Sequence, residues 1–279
     1  MAHFDYIIDK IHRADFVESP FKYLYIENFF NQEDFELITS DKQINLQKYN
    51  STEELIEDLQ SKKYKPVPFP GCTTSVNEYL DWYNNSTTTG FHNDDLLEGF
   101  GMSMRLRSYA NEKIQELMNF LNSDTFHNVI KEKFGKTKKT IVETAIQKYL
   151  SGYEISPHPD IRTKCLTYMI NINTDTALSE KLDLHTHFMS FKDSKSNIYD
   201  YWKDNTAVDR CWVPWDWCET NFQHVKNNSI TMFAPDNNTL HAVKLKYDHK
   251  VIQRTQIYGN LWYDTKKGKS SSWKDLEQV

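Results

Sequence analysis

The stretch GYEISPHPDIRTK, residues 152–164, places an imidazole and a carboxylate two positions apart, His158 and Asp160, between and beside prolines. In an extended chain side chains alternate between faces, so the two project the same way and share one focus. Such a pair is half of a metal site or an ordinary surface pair. Spacing alone does not separate the two, because a second His-x-Asp, His92 and Asp94, stands in GFHNDDL. Context does. His241 opens another extended segment 83 positions after His158, and Arg254 follows 13 positions later in the last long strand-like run. Two imidazoles and one carboxylate are the facial ligand set that holds a non-haem ferrous ion and leaves other positions open. The guanidinium fork of an arginine suits the carboxylate of a co-substrate. Arg254 also admits a reading as one half of a structural salt bridge. On a strand facing a barrel interior, however, it needs an anion, since an unpaired charge there costs several kcal/mol.

Positioning these groups requires strands, and the sequence supplies them after Thr140. IVETAIQKYLSGYEI, KCLTYMININ, NSITMFAP, HAVKLKY and VIQRTQIYGNLWY are rich in Val, Ile, Thr and Tyr and are divided by turn residues. Short strands in succession without intervening helices point to an antiparallel barrel or sandwich. The 13 positions between His241 and Arg254 leave room for a hairpin at KYDHK. Residues 174–226, with LHTHF and DRCWVPWDWCETNF, read as a long insertion, too rich in tryptophan for disorder. The first half reads as mostly helical. FKYLYIENFF is a strand feeding a helix capped by Asn31, and residues 111–135 form two helices, the second capped near Ser123 or Asp124 and stopped by Gly135. The expected organisation is one domain over 1–279, with a helical support region at 1–140 and a strand core at 141–263.

At 279 residues, with 39% hydrophobic and 26% charged content, the chain is long enough for a substantial core and describes a packed globule. A net charge of −6 gives no broad attraction for phosphate backbones, so nucleic acid is not an expected partner. No apolar run nears the roughly 20 residues that span a bilayer, and the N-terminus lacks the features of a signal peptide; a cytoplasmic location is expected. Four cysteines, Cys72, Cys165, Cys211 and Cys218, are too few and scattered for a disulfide framework, and the last two read as a metal or redox pair or as plain thiols. His185 and His187, again two apart, read as a second metal pair, as substitutes for one of the three ligands, or as a polar strand near the mouth of the site. Trp202, Trp212, Trp215 and Trp217 form a lid or substrate wall, or cover the barrel. His92 and Asp94, among Asn, Ser, Thr and Gly, read more simply as a capped turn.

YLSGYEISPHPD followed by LTYMININ, SITMFAPDNNTLHAV and QRTQIYGNLWY resembles the core of the iron(II) and 2-oxoglutarate-dependent dioxygenases, in their prolyl 4-hydroxylase-like branch. YIENFFNQEDFELI is similar to the strand and helix that open proteins of that branch. The resemblance implies an α+β fold, a double-stranded β-helix or jelly-roll, cupin-like barrel, with N-terminal helices packed on one sheet. It implies Fe(II) held by His158, Asp160 and His241, with 2-oxoglutarate paired through its distal carboxylate to Arg254 and assisted by the hydroxyl of Tyr149. It implies hydroxylation of a peptide, prolyl or otherwise, or of a small molecule, with O2 consumed and succinate and CO2 released. A carboxylate at 160, where related halogenases have a small residue, favours hydroxylation over halogenation. Where the branch often carries a Gly-Gly-Glu-Thr type stretch, this chain has TDTALSEKLDLHTHF. A cupin-like barrel that binds metal without 2-oxoglutarate turnover is the alternative, and Arg254 discriminates between them. Because both imidazoles must be neutral to bind, metal affinity is expected to fall below about pH 6.

Overall fold

Strands that follow one another in the chain fall into two different antiparallel sheets, and this is what brings residues far apart in sequence to one cavity. The computed structural model describes residues 3–67, 75–85, 101–203 and 212–264. The first half contains α1 (Asp5–Arg13), β1 (Phe16–Val17), β2 (Tyr23–Glu27), α2 (Gln32–Ser40), α3 (Thr52–Ser61), β3 (Lys65–Pro66), α4 (Val76–Asn85), β4 (Ser103–Leu106), α5 (Glu112–Leu121) and α6 (Asp124–Lys133). The second contains β5 (Thr140–Tyr149), β6 (Glu154–His158), β7 (Lys164–Asn171), α7 (Thr176–Ser179), β8 (Thr186–Phe191), α8 (Ser196–Lys203), β9 (Cys218–Gln223), β10 (Ser229–Phe233), β11 (His241–Lys244) and β12 (Arg254–Tyr263). Asn31 and Ser123 cap α2 and α6 by accepting backbone N–H bonds from Asp34 and Phe126, and Gly135, at φ +66°, ends the second helix pair. No helix among the described residues is long and apolar enough to cross a membrane.

The large sheet has the order β1-β2-β10-β7-β12-β5-β4-β3 and the small one β6-β11-β8-β9. β12 is the axis of the large sheet, pairing with β5 from Arg254↔Tyr149 to Tyr263↔Thr140 and with β7 on its other side. Its parity divides the molecule. Ile257 and Leu261, with Ile146, Leu166, Tyr168 and Ile170 of the neighbouring strands, join one core with helix residues such as Ile7, Ile38, Leu55, Leu117 and Phe126. Arg254, Gln256, Tyr258, Asn260 and Trp262 point the other way, into a cavity shared with residues of β6 and β11. The helices therefore cover one face of the large sheet and leave the opposite face for chemistry.

Gly259 has a steric reason. A Cβ there would lie 2.0 Å from Cζ of Tyr168, the residue opposite it on β7. The phenol crosses Gly259 to bond the Thr144 hydroxyl at 2.5 Å, and Thr144 is the residue opposite Gly259 on β5. Gly259→Ala is expected to destabilise the fold by about 1–3 kcal/mol through overpacking. Urea denaturation measures this, and the loss should shrink in a Tyr168→Leu background.

Two sequence expectations change. The stretch 174–226 is not simply an insertion, since it contains β8 and β9, two of the four strands of the small sheet. β8 is buried over four consecutive residues and β9 is a largely exposed edge, so neither shows clean alternation. The connection through KYDHK is not a hairpin either: β11 pairs with β6 and β8 while β12 lies in the other sheet, so the chain crosses between sheets there. Cys72, His92, Asp94, Cys211 and the side chain of Trp202 lie outside the described residues.

Candidate metal centre

Among the described residues one group could hold a metal ion: His158, Asp160 and His241, whose ligand atoms all lie within 4.8 Å of one another. His158 ends β6 and pairs directly with His241, the first residue of β11, which sets their ring centroids 4.5 Å apart. Asp160 follows two residues beyond the end of β6, and its Oδ1 is 3.9 Å from Nε2 of His241. Nδ1 of His158 donates to the Ser156 carbonyl at 2.7 Å, and Nδ1 of His241 to the Thr239 carbonyl at 3.0 Å. A carbonyl only accepts, so each ring carries its proton on Nδ1 and presents the Nε2 lone pair. This is the second contact that orients a metal-binding histidine.

Asp160 is 6% exposed, and both of its oxygens are engaged: Oδ1 with Lys164 Nζ and Oδ2 with the Thr167 hydroxyl, each at 2.5 Å. Burial opposes its charge, but its surroundings, led by the charge and hydrogen bond of the Lys164 ammonium, outweigh burial and hold the carboxyl well below the usual range. Lys164 Nζ also donates to the Tyr258 hydroxyl at 2.9 Å. Sequence reasoning passed over both partners. Lys164 sits four residues past Asp160 where β7 begins, and Thr167 lies on the cavity-facing parity of that strand, so the pattern was readable once Asp160 was fixed.

Burial pushes the His158 pKa down to about 3, with His241 adding to the shift, and it lowers His241 as well. The pH expectation is thereby corrected. Lowered pKa values move proton competition to lower pH, so metal affinity is expected to stay closer to level from pH 8 to about 5.5 than ordinary imidazoles would allow. Anaerobic metal titrations across that range would show a tenfold loss per histidine proton if the rings instead titrated near the ordinary 6.5.

Arg254, at the first position of β12, is 1% exposed. Nη2 donates to the Thr186 hydroxyl at 2.8 Å, while Nε and Nη1 have no hydrogen-bond partner among the described residues. Its carbon Cζ lies 4.4 Å from the centre of the Tyr149 ring, so Tyr149 meets Arg254 with its π face. The Tyr247 hydroxyl accepts from the Arg254 backbone N–H at 3.0 Å and donates to the Tyr149 carbonyl, tying the two strand ends together. His158, Asp160, His241, Arg254 and Tyr149 all line a single cavity of about 480 Å³.

The remaining candidates fall elsewhere. Thr186 points inward to Arg254, and His187, the next residue on β8, takes the opposite face. His187 bonds the Thr220 hydroxyl at 3.0 Å and packs edge-on against Trp215, with centroids 5.5 Å apart. Neither His185 nor His187 belongs to the metal-ligating group. The tryptophans divide: Trp212 lines the cavity, stacked 6.4 Å from the ring of His158, whereas Trp215 and Trp217 pack with Met189, Val213 and Cys218 on the small sheet.

No protein-family model matches the chain, and no curated protein matches it. Solved structures do. A prolyl-4-hydroxylase from Pseudomonas putida is similar at 9% identity and a TM-score of 0.45, over 94% of this chain and 100% of its own. The epimerase SnoN, in complex with Fe3+, alpha-ketoglutarate and nogalamycin RO, is similar at 8% identity and 0.40, over 99% of this chain and 90% of its own. HygX from Streptomyces hygroscopicus, with nickel, 2-oxoglutarate and hygromycin B bound, is similar at 7% identity and 0.36, over 94% and 86%.

Proposed function

We propose that the chain is an iron(II)- and 2-oxoglutarate-dependent oxygenase that hydroxylates an unactivated C–H of a small molecule or peptide, releasing succinate and CO2. The observation that carries this reading is one cavity with an N,N,O set of side chains at one wall and, at another, a buried guanidinium whose Nε and Nη1 are unpartnered among the described residues. The donor set fits ferrous iron, being imidazole and carboxylate with the remaining faces open. Arg254 fits a dicarboxylate, because a buried cation without an acid is strongly destabilising until an anion meets it. In the same reading the strands from β5 onward, falling large, small, large, small, small, large, small, large between the sheets, wind as a double-stranded β-helix.

When bound, the iron supplies dioxygen activation coupled to decarboxylation of 2-oxoglutarate. This chain supplies the rest. The Ser156 and Thr239 carbonyls hold both imidazoles in the metal-binding tautomer. Thr167 and Lys164 hold the Asp160 carboxylate ionised and aimed. Arg254, backed by the Tyr149 ring and fixed by Thr186 and Tyr247, binds the distal carboxylate of the co-substrate and so sets its direction in the cavity. Trp212 and Met169 line the cavity with apolar surface that limits water.

Succinate formation with Fe(II), 2-oxoglutarate and O2 tests the reading. Arg254→Met is expected to lower 2-oxoglutarate affinity at least about 30-fold, the lower end of the cost of truncating a buried charge pair. Its affinity for the metal should hold. Retention of native 2-oxoglutarate affinity in this variant would favour a metal-binding barrel without 2-oxoglutarate chemistry.

A further inference from the structure

A second cationic pole stands in the same cavity, and the proposed function does not use it. Among the described residues that line the cavity, Arg105, Arg107, Lys164 and Arg254 are cationic, and Glu143 and Asp160 are anionic. Arg105 and Arg107, two apart along β4 and its continuation, share one acid: Glu143 Oε1 accepts from Nη1 of Arg105 at 2.5 Å and from Nη2 of Arg107. Nε and Nη2 of Arg105 each donate to the neutral amide oxygen of Gln147, at 3.0 and 2.8 Å, which leaves a second N–H on each terminal nitrogen. One carboxylate therefore faces two guanidiniums.

The charges do not cancel when the site is filled. A divalent metal and a dianionic co-substrate add nothing in sum, so the described lining residues keep their excess of two positive charges. Arg254 is matched by the distal carboxylate of 2-oxoglutarate. The metal is matched by Asp160 together with the keto-acid end. Among the described residues the Arg105/Arg107 pair is left with one acid between two guanidiniums, and Lys164 shares its acid with the metal. Two of these cations flank aromatic surface: Arg105 Cζ is 6.0 Å from the Tyr258 ring centre, and Lys164 Nζ is 5.5 Å from Tyr258 and 5.4 Å from Trp262. Uncompensated charge in a cavity with low-dielectric walls focuses potential on whatever enters.

We infer that the substrate is an organic anion, carrying a carboxylate or phosphate bound by Arg105, Arg107 and Lys164 and an apolar body laid on Tyr258 and Trp262. This rests on the proposed function and names its substrate class. Guanidinium pairs receive either anion through two parallel hydrogen bonds, and the aromatic faces hold the body beside them.

The test uses the full chain loaded with Ni(II) as a redox-inert metal. 2-Oxoglutarate is titrated first; failure to bind overturns the proposed function, and the probe comparison then proceeds on the nickel-loaded protein alone. At saturating 2-oxoglutarate, 4-phenylbutyrate, phenyl phosphate and the neutral 4-phenylbutyramide are titrated by calorimetry. At least one anion is expected to bind beside 2-oxoglutarate tenfold or more tightly than the amide, and the tighter anion identifies the group. Arg107→Gln, at a largely exposed side chain, should cut the preference to threefold or less. Glu143→Gln, which removes the acid at this pole, should widen it. Equal binding of acids and amide, displacement of 2-oxoglutarate by the acids, or a preference indifferent to both substitutions would overturn the inference.

Discussion

Asp160→Ala is expected to weaken ferrous binding by at least about 100-fold, at or beyond what loss of an outer-shell partner costs a metal site. It should also destabilise the protein by about 3–5 kcal/mol, because removing one member of a buried ion pair strands the other. The second effect comes from Lys164. Its side chain is 9% exposed, Nζ sits 2.5 Å from Asp160 Oδ1, and the pair holds the ammonium protonated against the opposing effect of burial. With the carboxylate gone, the ammonium loses the acid beside it, while the Tyr258 hydroxyl and the ring contacts with Tyr258 and Trp262 are neutral groups that do not replace that charge. The two losses separate in a double variant. Asp160→Ala with Lys164→Met removes the stranded charge and should recover much of the stability while recovering none of the metal affinity. Urea melts read the first quantity, and anaerobic competition against a chromophoric chelator reads the second. A double variant that binds Fe(II) as tightly as the unsubstituted chain would mean that residue 160 is a structural ion-pair partner and not a ligand.

The contrast between Asp160 and Lys164 shows what the sequence makes legible. His158, Asp160 and His241 were readable because an extended chain repeats every two residues and the segments around them are β-rich, so their convergence needed only that β6 and β11 be neighbours. Arg254 was readable as a cation on a strand expected to face a barrel interior, where it needs an anion. The helix starts at Asn31 and Ser123 followed from local capping chemistry, which involves residues three apart. The unread features depend on which strand lies beside which. Glu143 bridges to Arg105 and Arg107 across 38 and 36 positions, through the β4 to β5 pairing that begins at Ser103↔Tyr149. β8 and β9 escaped because one is buried on both faces and the other is an edge. The same parity that sends Thr186 to Arg254 sends His187 to Trp215, and nothing in LHTHF says which face is inside until β8 is paired with β11.

Acid is expected to unfold the metal-free protein well above the pH at which carboxylates titrate, and the buried histidines are the cause. Burial pushes the pKa of His158 and of His224 down to about 3, and those of His185 and His249 down to about 4. Each is held neutral by its surroundings. His224 bonds the Ser229 and Thr231 hydroxyls, and His249 takes the Ser151 N–H on Nδ1 while Nε2 meets the Thr52 hydroxyl. In the unfolded chain these rings accept protons near 6.5, whereas in the folded chain they do not until the pH is far lower. Between those limits the unfolded state binds more protons, so stability is lost as pH falls. Each fully shifted histidine contributes about 1.4 kcal/mol per pH unit in that window, so His158 and His224 alone give roughly 3 kcal/mol per unit between pH 6 and 4. Burial lowers His127, His187 and His241 as well, which acts in the same direction, whereas two other buried groups titrate outside the window. Lys148, whose ammonium bonds the Ile44 carbonyl and the Thr255 hydroxyl, is lowered by burial to about 7, and below that both states carry its proton. Asp160, held low by its partners, loses its contribution only below the unfolded carboxyl range near 4. Thermal melts of chelator-treated protein at pH 7, 6 and 5 should therefore show a midpoint that falls steeply below pH 6. His224→Gln, remote from the metal ligands and able to keep a hydrogen bond to Ser229, should flatten the slope by about one histidine's share, roughly 1.4 kcal/mol per pH unit. A midpoint level from pH 7 to 5 would mean that these imidazoles do not stay neutral in the folded chain, and the tautomers assigned to His158 and His241 would lose their physical basis with it.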